Sequence, residues 1–252
     1  MDANLASHAS HLHPVLSGAR VHSTDDLVIA DSGLGDDTFN LVCRARFSAE
    51  HASDRVAETT ALVRESGRPF SWWVGPASTP DDLPDLLRLH GWSEHESEIA
   101  MTAELSEIPA PTIPGELRVE TVTDGAGLRD YAALMAANWT PPSVTVTEYF
   151  AGVSSAVLSA TCASTFVVGY VGDRPVSGAE IHVSDGVVGL YGVVTLDDVR
   201  RRGYGTAVTL HALDRSRRSR VTTAVLQASA DGVSVYTRIG FEPVGRYAEF
   251  AL

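Results

Sequence analysis

Residues 189–214 read GLYGVVTLDDVRRRGYGTAVTLHALD, and their order sets the fold class of the chain that carries them. A β-rich stretch passes through an arginine-rich turn into a segment of helical periodicity, with Gly203 and Gly205 near the start of that helix. Glycines let backbone approach a ligand closely. The unpaired N–H groups and positive dipole end of a helix start then meet an anion without desolvating a side chain. Arg200, Arg201 and Arg202 add positive charge at the same turn. The stretch reads as strand, phosphate-binding turn and helix, although a lone G-x-G is also what a glycine-bearing helix start with surface arginines presents.

Working outward, STFVVGYVGDRP, VSGAEIHVSDG and VVGLYGVVTL are rich in Val, Thr and Tyr and separated by Gly-Asp and Asp-Gly pairs, the pattern of an antiparallel meander. Ahead of them lie a strand, LRVETVTD, and two helices, GLRDYAALMAANW and TVTEYFAGVSSAVL, the second capped by Thr145 or Thr147. Behind them, GYGTAVTLHALDRSRR continues the helix, TTAVLQAS is an apolar strand, DGVSVYTRIG a short helix and FEPVGRYAEFAL a terminal strand.

Three prolines and a glycine in IPAPTIPGEL (108–117) discourage both helix and central strand, so a Pro-rich linker is assigned to 108–115. Before it, DTFNLVCRARF and RPFSWWVGP read as strands, SAEHASDRVAETTALVRESG and DDLPDLLRLHGW as helices, and SEHESEIAMTAEL as a returning strand. The expected organisation is a flexible tail over 1–22, a domain over 23–107 and a second over 116–252. The fold class is α+β, each half a mixed, mostly antiparallel twisted sheet flanked by helices. LLRLHGW (86–92) beside VYTRIGF (235–241) suggests a faint internal repeat.

The chain of 252 residues is 44% hydrophobic and 20% charged, a soluble globular composition without an apolar run long enough to span a bilayer. Its net charge of −13 is uneven, with 7 arginines against 18 acidic residues in 1–115 and 12 against 14 in 116–252. That argues against a nucleic-acid surface, because phosphate contacts need clustered cations. All 19 cations are arginine, which removes Schiff-base and Walker-type lysine chemistry. Cys43 and Cys162 stand far apart with no metal-ligand spacing, and the start MDANLASHASHLHPVL lacks the pattern of a secretory signal. These features fit a reducing cytoplasm, no metal site and no role for His8, His11 and His13.

R-x-x-G-x-G over 200–205, followed by YTRIGF over 236–241, resembles the GCN5-related N-acetyltransferase (GNAT) family, and the resemblance covers roughly residues 116–252. It implies two tandem GNAT-like domains, the first degenerate: FSAEHASDRVAET has neither glycine nor clustered cations, and Leu87 stands where Tyr236 does. It further implies acetyl-CoA as co-substrate. The pyrophosphate would be held by the backbone around Arg200, Arg201, Arg202, Gly203, Tyr204, Gly205 and Thr206, and the pantetheine by the main chain of Val193, Val194 and Thr195. Ser229 stands where the family often has Asn near the donor, and Gly232 replaces a common Ala. Tyr236 takes the place of the tyrosine that protonates the departing thiolate; a phenol with a reference pKa near ~10 is protonated at neutral pH and suits that task.

The resemblance fixes no general base. Alternation along the strand AEIHV puts Glu180 and His182 on one face, with Glu180 the first candidate; Glu148, Asp197 and Asp198 are weaker ones. Acceptor recognition is expected from the first two helices and the loop bearing Trp139, Pro141 and Pro142. The implied function is direct transfer of an acetyl or other short acyl group to a small-molecule amine. Two alternatives stay open: an acyl carrier protein as donor, docking on 200–202 and 215–220, or a non-catalytic module that binds CoA or a small molecule for self-resistance. No membrane or nucleic-acid partner is expected, and association into a homodimer is left open.

Overall fold

The computed structural model describes residues 1–217 and 221–252. In chain order its elements are α1 (Asp2–Ser10), β1 (Arg20–Ser23), β2 (Val28–Asp31), β3 (Leu41–Cys43), α2 (Ala52–Ser66), β4 (Ser71–Val74), α3 (Leu83–Leu89), β5 (Ser93–Glu104), β6 (Leu117–Thr121), α4 (Gly125–Ala136), α5 (Val144–Val157), β7 (Ser164–Val171), β8 (Arg174–Ser184), β9 (Val187–Thr195), α6 (Tyr204–Ser216), β10 (Thr223–Ala228), α7 (Ala230–Arg238) and β11 (Glu242–Ala251). Arg218, Ser219 and Arg220, which belong to the basic stretch 215–220, the first of them also the last residue of the helix expected over 203–218, lie outside the described residues. Among the described residues no helix is long and apolar enough to cross a membrane, and no His, Cys, Asp and Glu side chains form a group of metal-ligand size.

The chain divides into two compact units. The first comprises Asp2–Ala100, Ala228–Ala230 and Pro243–Leu252, the second Met1, Met101–Gln227 and Asp231–Glu242. Within the first, the strand order is β1-β2-β3-β4-β11-β5, with β3 and β4 parallel and β4 and β11 antiparallel. Its core gathers Trp72, Trp92, Leu83, Leu87 and Phe250. Trp72 and Trp92 meet edge to face at 5.4 Å, and the Trp92 indole N–H donates to Thr60 Oγ1 at 2.9 Å, satisfying its one polar atom.

The structure departs from three expectations about the ends and the boundary. Residues 1–22 are not a loose tail, because α1 buries Leu5, Ala6 and Ala9. Ala9 packs with Ala30, Leu41 and Trp73, and buried His13 bonds the Phe39 carbonyl through Nε2 at 2.8 Å. Small Ala and Ser side chains make a weak periodic signal, yet suffice where a helix lies close on a sheet. The terminal strand β11 joins the first unit rather than the second: Phe250 lies opposite Trp72 in the register with β4 and is fully buried. The division between units falls inside β5, between Ala100 and Met101, and not in the Pro-rich stretch. Residues beyond it are tied to the second unit, as where Leu105 N–H donates to Thr222 O and Arg217 to the Ile108 carbonyl.

The second unit orders its strands β5-β10-β9-β8-β7-β6, antiparallel from β6 through β9 and parallel between β9 and β10. Helix α4 starts at Asp124, whose carboxylate accepts from Ala126 N–H (3.0 Å) and Gly127 N–H (2.9 Å). Helix α5 starts two residues before Thr145 would set it and four before Thr147 would, capped by Ser143, whose Oγ accepts from Val146 N–H at 3.3 Å. A Cβ at Gly178 would meet Tyr131 of α4, whereas one at Gly169 would meet Val208 of α6. Gly178 is paired with Val168, the neighbour of Gly169, and successive strand residues point to opposite faces, so α4 and α6 cover opposite faces of this sheet.

The segments that looked repeated share one hydrogen-bond pattern. After α3, Gly91 N–H donates to Arg88 O and Trp92 N–H to Leu87 O; after α7, Gly240 N–H donates to Thr237 O and Phe241 N–H to Tyr236 O. Both helices thus end in a left-handed glycine, with an aromatic residue turning back onto the core.

Candidate functional site

The register of β8 and β9 breaks at one place. Gly178 lies opposite Val194 and Glu180 opposite Tyr191, so Ala179 faces two residues, Gly192 and Val193. This is a β-bulge, and Gly192 takes a φ of 52°, in the left-handed region. The Tyr131 hydroxyl donates to the Gly192 carbonyl at 3.2 Å, and its ring is wholly buried, packed edge-on against Phe150 and Phe166. A Cβ at Gly192 would overlap the Tyr131 hydroxyl. Burial, with a smaller contribution from Glu180, holds the Tyr131 phenol well above its ordinary pKa, so it stays a donor.

Beyond the bulge, β9 parts from β10. Their parallel pairing runs from Val187 opposite Thr223 to Leu190 opposite Leu226 and ends there, although β9 continues to Thr195 and β10 to Ala228. The far end of β9 stays anchored to β8, where Ser177 Oγ donates to Val194 O at 2.7 Å and lies 2.8 Å from Thr195 Oγ1. Residues 193–195 are therefore held from the β8 side, while among the described residues their edge toward β10 carries no ladder pairing. Gln227, the first β10 residue past the pairing, has a buried side-chain amide nitrogen with no hydrogen-bond partner among the described residues. A cavity of about 350 Å³ lies beside this stretch, lined by Asn138, Thr140, Arg174, Thr195, Asp197 and Arg200 among others.

The turn between β9 and α6 takes an unusual backbone. Arg201 has φ 62° and Gly203 φ 81°, both left-handed, and Gly203 opens α6 with no side-chain cap. The amides of the first helical turn are thus not consumed by a capping oxygen, the condition for meeting an anion. Gly205 sits tight against β9, since a Cβ there would meet Thr195 Oγ1 at 3.1 Å. Tyr204 is buried and donates through its hydroxyl to Glu116 Oε1 at 2.8 Å, while Thr206 is half-buried in the first turn. Arg201 and Arg202 are exposed. Arg200 is engaged within the turn: its Nε donates to Thr195 O at 3.2 Å and its Nη2 pairs with Asp197 at 2.7 Å.

Among the other sequence candidates, Tyr236 is half-buried on α7 with its ring edge-on to Phe241 at 6.0 Å, and Ser229 is exposed just before that helix. Glu180 and His182 are both buried, and Ser164 Oγ joins them, donating to Glu180 Oε1 at 2.7 Å and lying 3.1 Å from His182 Nδ1. Glu148 is exposed, while Asp198 and Asp197 form surface ion pairs with Arg174 and Arg200. Cys43 is free and buried, which pushes its thiol up to about 12 and leaves it unreactive. Tyr131, Ser177, Ser164 and Gln227 escaped sequence reasoning. Only Tyr131 had a signal, the pair of glycines, Gly178 and Gly192, in adjacent strands where its buried ring needs room.

Residues 131–241 match the family model described as Acetyltransferase (GNAT) family. No curated protein sequence matches the chain. Among solved structures it is similar to a GCN5-related N-acetyltransferase from Kribbella flavida, with 18% identity and a TM-score of 0.74 over 100% of this chain and 95% of that one. It is also similar to a tandem GNAT protein from the clavulanic acid biosynthesis pathway, at 13% identity and TM-score 0.64 over 90% and 78%. A third is a GCN5-related N-acetyltransferase from Sphaerobacter thermophilus, at 18% and 0.59 over 90% and 80%.

Proposed function

Residues 131–241 match the GNAT acetyltransferase family model, and from that match we propose that the second unit transfers an acetyl or other short acyl group from acetyl-CoA directly to the amine of a small molecule. The observation that carries the reading is the end of pairing at Leu190 and Leu226, on the strand that leads through a left-handed turn into an α6 without a side-chain cap. An unpaired strand edge can accept an amide-bearing arm as an added strand, and the turn can hold a diphosphate through main-chain N–H groups. The residues present fit that ligand: Gly205 carries no Cβ where one would meet Thr195 Oγ1 of β9 at 3.1 Å, and Arg201 and Arg202 are exposed at the turn.

In this reading Glu180 takes a proton from the acceptor ammonium, the free amine so formed attacks the thioester carbonyl while main-chain N–H groups over 193–195 meet the developing oxyanion, and the C–S bond then breaks with the Tyr236 hydroxyl donating to the departing thiolate. The first unit is then a degenerate copy without a donor site. Its α2 starts among Glu50 and Asp54, a first turn that repels phosphate, and Leu87 is sealed in the core. The acceptor is a small amine met in the cytoplasm, without a nucleic-acid or membrane partner.

The test is mass-resolved transfer to a panel of primary amines from acetyl-CoA, longer acyl-CoAs and an acyl-loaded carrier protein. Product from acetyl-CoA is expected, and no turnover with any acyl-CoA overturns the reading. Tyr236→Phe is expected to lower kcat by about tenfold or more with donor affinity nearly unchanged; equal rates would remove the leaving-group role and favour a sensing module. Arg201→Gly separates backbone from side-chain recognition. Relief of the left-handed strain is expected to raise stability by about 1 kcal/mol or less, while acetyl-CoA affinity measured by calorimetry falls only a few-fold.

A further inference from the structure

Strand β10 breaks a local rule at one position. Ala224, Val225, Leu226 and Ala228 are apolar and buried, and between them stands Gln227, whose amide nitrogen is buried without a hydrogen-bond partner among the described residues. An unpaired buried amide is costly, and a leucine or valine would fill the strand without that cost. Such departures from local consistency concentrate where a ligand supplies the missing partner.

The register fixes the face on which Gln227 stands. A Cβ at Gly178 would meet Tyr131 of α4, and Glu180, two residues further along β8, shares that face. Glu180 lies opposite Tyr191, which follows Leu190, the last β9 residue paired with β10. Leu190 is paired with Leu226, so Tyr191 and Gln227 are the first residues past the end of pairing, and both stand on the face that α4 covers. Glu180, Tyr191 and Gln227 thus form one row across three strands. Strand spacing sets the backbones of Glu180 and Gln227 roughly 10 Å apart, with the parting of β9 and β10 between them.

An amine that gives its proton to Glu180 approaches on this face, and its substituents then reach toward β10. A carboxylate there is opposed by the charge of Glu180, whereas a hydroxyl or carbonyl oxygen is not. We propose that Gln227 is a specificity-determining residue of the acceptor site, its Nε2 donating to a neutral oxygen a few bonds from the reacting nitrogen. The substrate class is then amines that carry a hydroxyl or carbonyl oxygen, not plain alkylamines. The acceptor's place rests on the function proposed above; the buried, unpaired donor does not.

The experiment compares amines of matched size that differ by one oxygen: 2-aminoethanol against propylamine, and 3-aminopropan-1-ol against butylamine. In the parent, kcat/KM is expected to favour the oxygen-bearing member of at least one pair by tenfold or more. In Gln227→Leu, and in Gln227→Met, which keeps the length without the donor, that ratio is expected to fall to within about twofold. Ligand-free stability of Gln227→Leu is expected to equal or exceed the parent's, because an unpaired buried group is removed. A parent without preference in either pair, or a preference that survives both substitutions, overturns the proposal.

Gln227 is the one glutamine of the chain, so selective ¹⁵N labelling isolates its side-chain NH2. Exchange of that NH2 with solvent as fast as in free glutamine places the oxygen inward instead and overturns the proposal. Absence of turnover with every amine sinks the function proposed above, and the same four amines titrated against the labelled NH2 then decide the role of Gln227. A shift caused by the amino alcohols at concentrations where the alkylamines cause none upholds it; an equal response, or none, overturns it.

Discussion

Gly192→Val is expected to lose at least a hundredfold in turnover and about 3 kcal/mol in stability, the latter from a β-branched residue forced to positive φ together with overpacking of a closed core. The substituted residue cannot take φ 52° without strain, and its Cβ would occupy the place of the Tyr131 hydroxyl. Tyr131 cannot yield, because its ring is wholly buried against Phe150 and Phe166. The chain must then either lose the bulge, which resets every residue from Gly192 to Thr195 by one register position, or expel the tyrosine. Either change re-aims the amides over 193–195, and a displacement of about 1 Å at reacting groups can cost a hundredfold. Chemical denaturation and single-turnover rates check the two halves separately. A variant with parent activity and reduced stability would show that the bulge is a packing feature only.

Gly203→Val acts at the other end of the same segment and divides its effects differently. Gly203 has φ 81°, is exposed and opens α6, so a β-branched replacement strains the turn but reaches no core. Stability is expected to fall by about 1–2 kcal/mol, the left-handed penalty alone. Calorimetric affinity for acetyl-CoA is expected to fall by at least tenfold, about 1.4 kcal/mol, because the first-turn amides no longer converge. Unaltered affinity would count against main-chain recognition of the diphosphate. The pair of variants is informative together: one damages the core and the chemistry, the other the ligand and little else.

The meander β7–β8–β9, helix α6 and strand β10 were legible because each carries a simple local code: alternating β-branched residues, Gly-Asp and Asp-Gly turns, and a glycine-bearing helix start. The strands β1 and β2 carried no such code. All four residues of β2 are buried, so Val28 to Asp31 show no alternation, and β1 is four exposed residues long. Helix α1 was hidden by small side chains. Within the site, the Arg200 to Thr206 turn was readable as a glycine pattern, but the engagement of Arg200 with Thr195 and Asp197 depends on how the turn folds back. Tyr131 read only as an apolar helix position; its role follows from two glycines more than forty residues away in sequence meeting it across the sheet. Ser164 was one serine at a strand start until β7 and β8 paired it with His182. Such long-range partnerships leave no mark in local spacing.

The membership of β11 in the first unit bears on how the protein is made. Phe250, with Ala248 beside it, completes a core otherwise supplied by residues before Ala100, so that core stays unsealed while the ribosome is still translating the second unit. Nascent chains of increasing length are then protease-sensitive around Trp72 and Trp92 until residues 242–251 have left the exit tunnel, and the two halves mature in the reverse of the order in which they are synthesised.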